Sequence, residues 1–231
     1  NDRGKYLNEN FRLFIYFTLL FSVLVIALAK AGLYVLNPVY ESISIVVIFV
    51  TIRYVLFSIY SNFWNMLRGT EKIDETKNPT IKDFIKSKLF KIPTIQLIQY
   101  SAYIVGLTVS LVFIKFSSTT DLLIFWAVIS LIAQIPSTLI ISLWVKKENL
   151  IQVNYLAILK YFIALIPTYF VIDFLNNNIL EYNTNLFEFM PTVLLIWFIG
   201  ISTYVKIILL LNVSTRNILK SILSELKKII I

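Results

Sequence analysis

An arginine stands near the middle of an otherwise apolar run: Arg53, within Ile43–Met66. At 1.5 Å per residue it lies ~15 Å from either end of such a helix, too far for easy snorkelling to water. A cation held there can bind or balance a negative group that has left water, so an ionisable residue inside a membrane segment is a functional-site candidate. Three amides fall in other apolar runs. Gln96 and Gln99 share a helical face with Tyr103, Gly106 and Ser110, an arc of about 80° at 100° per residue. Gln134 shares a face with Trp126, Ser130 and Ser137. Amides and hydroxyls at helical spacing inside a membrane mark either a wet, ligand-lined face or a face packed on another helix. Lys30, towards the end of the first run, completes the set, although about two turns from the surface it is within snorkelling reach. The candidate substrate-cavity residues are Arg53, Gln96, Gln99, Tyr103, Gln134 and Lys30.

The same inventory excludes much chemistry. The chain has no Cys and no His, so thiol nucleophiles, disulfides, thiolate or imidazole metal sites and imidazole general bases are absent. Asp and Glu are scattered, and none lies deep in an apolar run. A carboxylate-held metal or a buried carboxylate that binds protons or sodium is therefore not expected. The expectation is a protein that is not an enzyme and carries neither metal nor cofactor. The net charge of +8 is a membrane-orienting surplus and not a nucleic-acid signal, because most of it flanks apolar runs.

The elements that must position these residues are six apolar stretches, at 11–36, 43–66, 92–114, 122–145, 155–175 and 189–211, in a chain that is 58% hydrophobic. Each approximates the ~20 residues needed to cross a ~30 Å hydrocarbon core. The expected fold class is all-α, a polytopic membrane six-helix bundle. The first run is too long for a cleavable signal peptide, and no small-residue cleavage site follows it.

Orientation follows from the 21 basic residues. Three precede or open the first span (Arg3, Lys5, Arg12), and seven lie in 67–91 (Arg68, Lys72, Lys77, Lys82, Lys86, Lys88, Lys91). Two more (Lys146, Lys147) lie in 146–154, and four (Arg216, Lys220, Lys227, Lys228) follow the last span. Sixteen thus fall on alternate loops against one, Lys115, on the others; Lys30, Arg53, Lys160 and Lys206 lie inside spans. The positive-inside rule then puts both termini in the cytoplasm of a multi-pass cell-membrane protein. Two basic amphipathic segments, at 79–91 and 215–228, are expected to lie on the inner leaflet as interfacial helices. Ile81, Phe84, Ile85 and Leu89 form the apolar face of the first, and Asn78 is placed to cap it. Pro38 is expected to end the first span and Ser42 to cap the second, making the two an antiparallel hairpin; Pro136 is expected to kink the fourth.

The first hairpin carries a resemblance. The segment Ala29-Lys30-Ala31-Gly32-Leu33-Tyr34-Val35-Leu36-Asn37-Pro38-Val39-Tyr40-Glu41 is followed by an apolar span ending Leu67-Arg68-Gly69-Thr70-Glu71-Lys72-Ile73-Asp74. This resembles the start of the C-terminal half of polysaccharide flippases, the lipid-linked oligosaccharide transporters of the multidrug/oligosaccharidyl-lipid/polysaccharide exporter superfamily. Pro38, Tyr40, Gly69, Lys72 and Asp74 fill the places of that family's turn and cytoplasmic signature approximately. The paired Lys146-Lys147, a helix opening at Asn154 and a short basic tail also fit. The likeness is one of hydropathy and punctuation over nearly the whole chain, and the long 69–91 connection looks more like archaeal members.

The resemblance implies that 1–231 is the C-terminal transmembrane lobe of a two-lobe transporter, one that flips a lipid-linked diphosphate oligosaccharide or polysaccharide precursor by alternating access. Its implied partners are that lipid-linked glycan, membrane lipids and an N-terminal lobe of the same protein, and no nucleic acid. A chain that begins at Asn1 is expected to be part of a longer protein. In some lipid-diphosphate flippases the helix matching the second span carries a cavity arginine, and the resemblance gives that role to Arg53. The alternatives are a drug-exporter half of the same superfamily, or a polytopic enzyme or subunit of glycolipid synthesis.

Overall fold

The computed structural model describes residues 2–71, 80–183, 185–213, 215–217, 220–221 and 224. The all-α expectation holds: among these residues there is no strand, and six helices are long and apolar enough to cross a membrane. The elements are α1 (Asp2–Ala27), α2 (Ala29–Leu36), a 3₁₀ turn (Pro38–Ile43), α3 (Ser44–Arg68), α4 (Ile81–Lys86), α5 (Lys88–Phe113), α6 (Thr119–Lys147), α7 (Tyr155–Asn178) and α8 (Leu186–Leu211). They fall into two compact units. Unit 1 comprises 1–8 and 42–152, with α3, α4, α5 and α6. Unit 2 comprises 9–41 and 153–231, with most of α1 and all of α2, α7 and α8.

In unit 1, α6 packs on both α3 and α5. It buries Ala127, Ser130, Gln134, Ser137, Thr138, Ile141 and Val145, a seam at three- and four-residue spacing. Its side chains are small or short and polar, which lets helix backbones approach where lipid supplies no hydrophobic drive. The helix runs on through Pro136, and the hydroxyls of Ser137 and Thr138 bond back to the Gln134 carbonyl at 3.0 Å each. The outer side of α5 is apolar and open: Leu97, Ile98, Ile104, Val105, Val112 and Phe113 are all exposed, as suits a surface solvated by lipid.

In unit 2, α7 buries Ala157, Tyr161, Ala164, Thr168 and Ile172, and α8 buries Phe189, Ile196, Gly200, Tyr204 and Ile208. Both sets repeat at helical spacing, so the two stripes form ridges that interlock. Gly200 permits the closest approach: a Cβ there would lie 2.7 Å from Ile172 Cδ1 and 2.8 Å from Leu24 Cδ2. Near one end the phenols of Tyr16, Tyr161 and Tyr204 cluster, with ring centroids 5.7 and 5.5 Å from Tyr16. The Tyr161 hydroxyl is 2.6 Å from that of Thr215.

Three expected boundaries change. The first span is two helices, broken at Leu28. The Asn176 amide donates to the Ala27 carbonyl at 2.9 Å, satisfying an acceptor that the end of α1 leaves open. The 3₁₀ turn Pro38–Ile43 then occupies the place where Ser42 was expected to cap; Ile43 is the N-cap of α3, and the Asn37 side chain accepts from Val39 N–H at 3.0 Å. The expected interfacial helix 79–91 is divided. Ser87 takes extended geometry and caps α5 by accepting from Phe90 N–H, so only Ile81–Lys86 forms a separate helix. That helix starts at a Thr80–Asp83 capping box; the expected cap, Asn78, lies outside the described residues. The expected helix 215–228 falls largely outside them too.

Candidate functional site

Arg53 sits on α3 part-buried, its guanidinium carbon 5.6 Å from the centroid of the Tyr54 ring. Its Nε is buried and has no hydrogen-bond partner among the described residues. The ion pairs among those residues are Lys30–Glu41 and Lys88–Glu148, so no carboxylate neutralises Arg53 there. Tyr103 on α5 is within electrostatic reach of the guanidinium. A buried N–H left unpaired costs roughly 1–3 kcal/mol, more when charged. The arrangement therefore favours an acceptor of negative charge near Arg53 Nε.

Seven residues along α3, two helical turns from Arg53 and on the same face, stands Tyr60. It is 1% exposed, and its hydroxyl likewise has no partner among the described residues. Its ring lies 6.0 Å from Trp64, and the Tyr100 phenol is close enough to interact with it electrostatically. Gln96 donates to the Tyr100 hydroxyl at 2.9 Å. Tyr60 is absent from the sequence candidates. Its i, i+7 relation to Arg53 was the available signal.

Gln134 has a different surrounding. It is 1% exposed, its Oε1 accepts from Gln99 Nε2 at 2.9 Å, and its Nε2 faces the Ser137 and Thr138 hydroxyls at 3.3 and 3.2 Å. Thr138 Oγ1 lies 3.3 Å from the Leu56 carbonyl of α3. The relay Gln99–Gln134–Thr138–Leu56 thus joins α5, α6 and α3. Gln134 is enclosed as an interhelical clamp, while Gln96, Gln99 and Tyr103 remain part-exposed. Gly106, on the same stripe of α5, approaches Ile129 of α6, so much of that stripe serves packing. Lys30 belongs to unit 2. It is exposed, pairs with Glu41 at 2.8 Å and lies 5.5 Å over the Tyr182 ring. Of the six candidates, Arg53 stands on α3 within electrostatic reach of Tyr103 on α5, Gln96 and Gln99 stand elsewhere on α5, Gln134 is enclosed on α6 against Gln99, and Lys30 lies in the other unit with a partner of its own.

No known protein family, characterised protein or solved structure matches this chain. No group of three or more Asp and Glu that could hold a metal occurs among the described residues.

Proposed function

We propose that this membrane protein is one lobe of an alternating-access transporter that flips a lipid-linked diphosphate glycan, with Arg53 meeting the diphosphate. The observation that carries the reading is a mid-span guanidinium with no carboxylate partner among the described residues and a buried, unpaired Nε. The anionic part of such a substrate supplies the missing acceptor, and the part-exposed hydroxyl and amides of Tyr103, Gln96 and Gln99 can hydrogen-bond its neutral part. The resemblance of the first hairpin to polysaccharide flippases supports the same reading, and a cationic interior disfavours cationic drugs. The basic asymmetry of the loops orients the chain with both ends in the cytoplasm.

The test is translocation of a lipid-linked oligosaccharide in proteoliposomes, normalised to folded protein. Coulomb attraction at effective ε of 20 is about 4 kcal/mol at 4 Å, so Arg53→Gln should lose most transport while folding normally, and Arg53→Lys should retain part. Full activity of Arg53→Gln removes Arg53 from the site. Loss of activity in proportion to lost thermal stability makes it a structural residue.

A further inference from the structure

The end of unit 1 where α3 finishes, α5 starts and α6 finishes carries seven basic residues among those described: Arg68, Lys82, Lys86, Lys88, Lys91, Lys146 and Lys147. Its carboxylates are Glu71, Asp83 and Glu148. The fold commits all three. Glu148 Oε2 accepts from Lys88 Nζ at 2.5 Å, Glu71 Oε2 accepts from Lys88 N–H at 2.6 Å, and Asp83 Oδ2 accepts from the Thr80 hydroxyl at 2.6 Å and its N–H at 3.1 Å. Those bonds, the hydroxyl's first, and then the nearby Lys86 hold the Asp83 carboxyl below the usual carboxylate range, so it stays ionised at its helix cap. Lys88 is the cation consumed. The other six are exposed and form no ion pair among the described residues, although Lys86 is within electrostatic reach of Asp83. Residues 72–79 add two lysines and two acids, so they do not offset this surplus.

The apolar component lies beside it. Ile81, Phe84 and Ile85 of α4 are 80%, 47% and 48% exposed, Phe90 is exposed as well, and Phe84 and Phe90 pack edge-to-face at 5.8 Å, fixing α4 against the start of α5. A short helix with open aliphatic and aromatic side chains, ringed by Lys82, Lys86 and Lys91 and leading directly into a span, matches the headgroup–acyl boundary and not bulk water. We infer that this end of unit 1 is a docking surface for anionic phospholipids, with Ile81, Phe84 and Ile85 entering the acyl boundary and the six remaining cations holding the headgroups. Sequestration of the carboxylates makes the surface selective: neutral headgroups satisfy the apolar contacts, and only anionic ones satisfy the charges as well.

The purified protein, reconstituted in phosphatidylcholine containing phosphatidylglycerol, should retain the anionic lipid preferentially by native mass spectrometry. A cation near such a surface is worth about a fivefold preference, so Lys82→Gln/Lys86→Gln/Lys91→Gln should cut the retained anionic-to-neutral ratio by up to about a hundredfold, and the corresponding triple Arg variant should keep it. Because the chain is free of Cys, fluorophores on Ile81→Cys and Ile85→Cys should be quenched by lipid-borne nitroxides. An unchanged ratio in the Gln variant overturns the inference. Fluorophores that stay in water also overturn it and assign the surface to an acidic protein segment. Neither readout uses transport, so failure here is separable from failure of the flippase reading.

Discussion

Replacing Gln134 by leucine distinguishes an interhelical clamp from a substrate-lining amide. Leucine approximates the volume and cannot hydrogen-bond. The 2.9 Å bond that Gln134 accepts from Gln99 crosses between helices, while its bonds to Ser137 and Thr138 stay within α6. Interhelical hydrogen bonds in membranes average about 0.6 kcal/mol and reach about 1.7. The variant also leaves the Gln99 amide without its partner, which adds roughly 1 kcal/mol, the low end for an unsatisfied group because Gln99 is part-exposed. Gln134→Leu should therefore destabilise by about 2 kcal/mol. Gln99→Leu should cost about as much, and the double variant should cost less than the sum of the two by about 1 kcal/mol. The measurement is a double-mutant cycle on unfolding of the purified protein in mixed micelles, run beside transport normalised to folded protein. Strict additivity would refute the clamp, as would a Gln134→Leu protein of unchanged stability that no longer transports.

Gly200→Ala should lower the melting temperature by the equivalent of about 1–3 kcal/mol, because the new methyl meets the buried tips of Ile172 and Leu24 at 2.7 and 2.8 Å. Gly106→Ala, where the nearest atom is 3.3 Å away, should be near neutral; equal effects in a melting assay would contradict the packing described for unit 2. Tyr60→Phe removes a buried hydroxyl with no described partner, so it should leave stability unchanged or raise it by up to about 1 kcal/mol. A clear loss in the same melt would show that the hydroxyl is satisfied. Topology is tested with an impermeant thiol reagent on intact cells. Lys86 and Asn177 are exposed and suit single Cys substitution, whereas Ser87 is buried and caps α5. Asn177→Cys should label from outside and Lys86→Cys should not; the reverse pattern would invert the orientation.

The spans were legible because their signal is local. Long apolar runs with charges at their ends need no partner to be recognised, and a helix in lipid satisfies its own backbone. The caps at Ser118, Asn154 and Asn185 and the capping box at Thr80–Asp83 are equally local, and the last could have placed the start of α4 correctly. The break at Leu28 was hidden: no Gly or Pro marks it, and the Asn176 amide that donates to the Ala27 carbonyl is 149 residues away.

By itself the sequence determined the class, the number of helices long and apolar enough to cross a membrane and the positions of polar residues on their faces, because composition and a 3.6-residue period suffice for each. Only the tertiary structure decided what those faces meet. Gln134 and Arg53 look alike as polar residues in apolar helices, yet Gln134 finds Gln99 and Thr138 and is closed off, while Arg53 Nε is buried with no described acceptor. Lys30 reads as a lysine inside a span and Lys88 as one in a loop, yet each finds a carboxylate, Glu41 and Glu148. A hydrogen bond or ion pair depends on two groups brought within about 3 Å, and for groups tens of residues apart that separation is set by helix packing and not by sequence spacing.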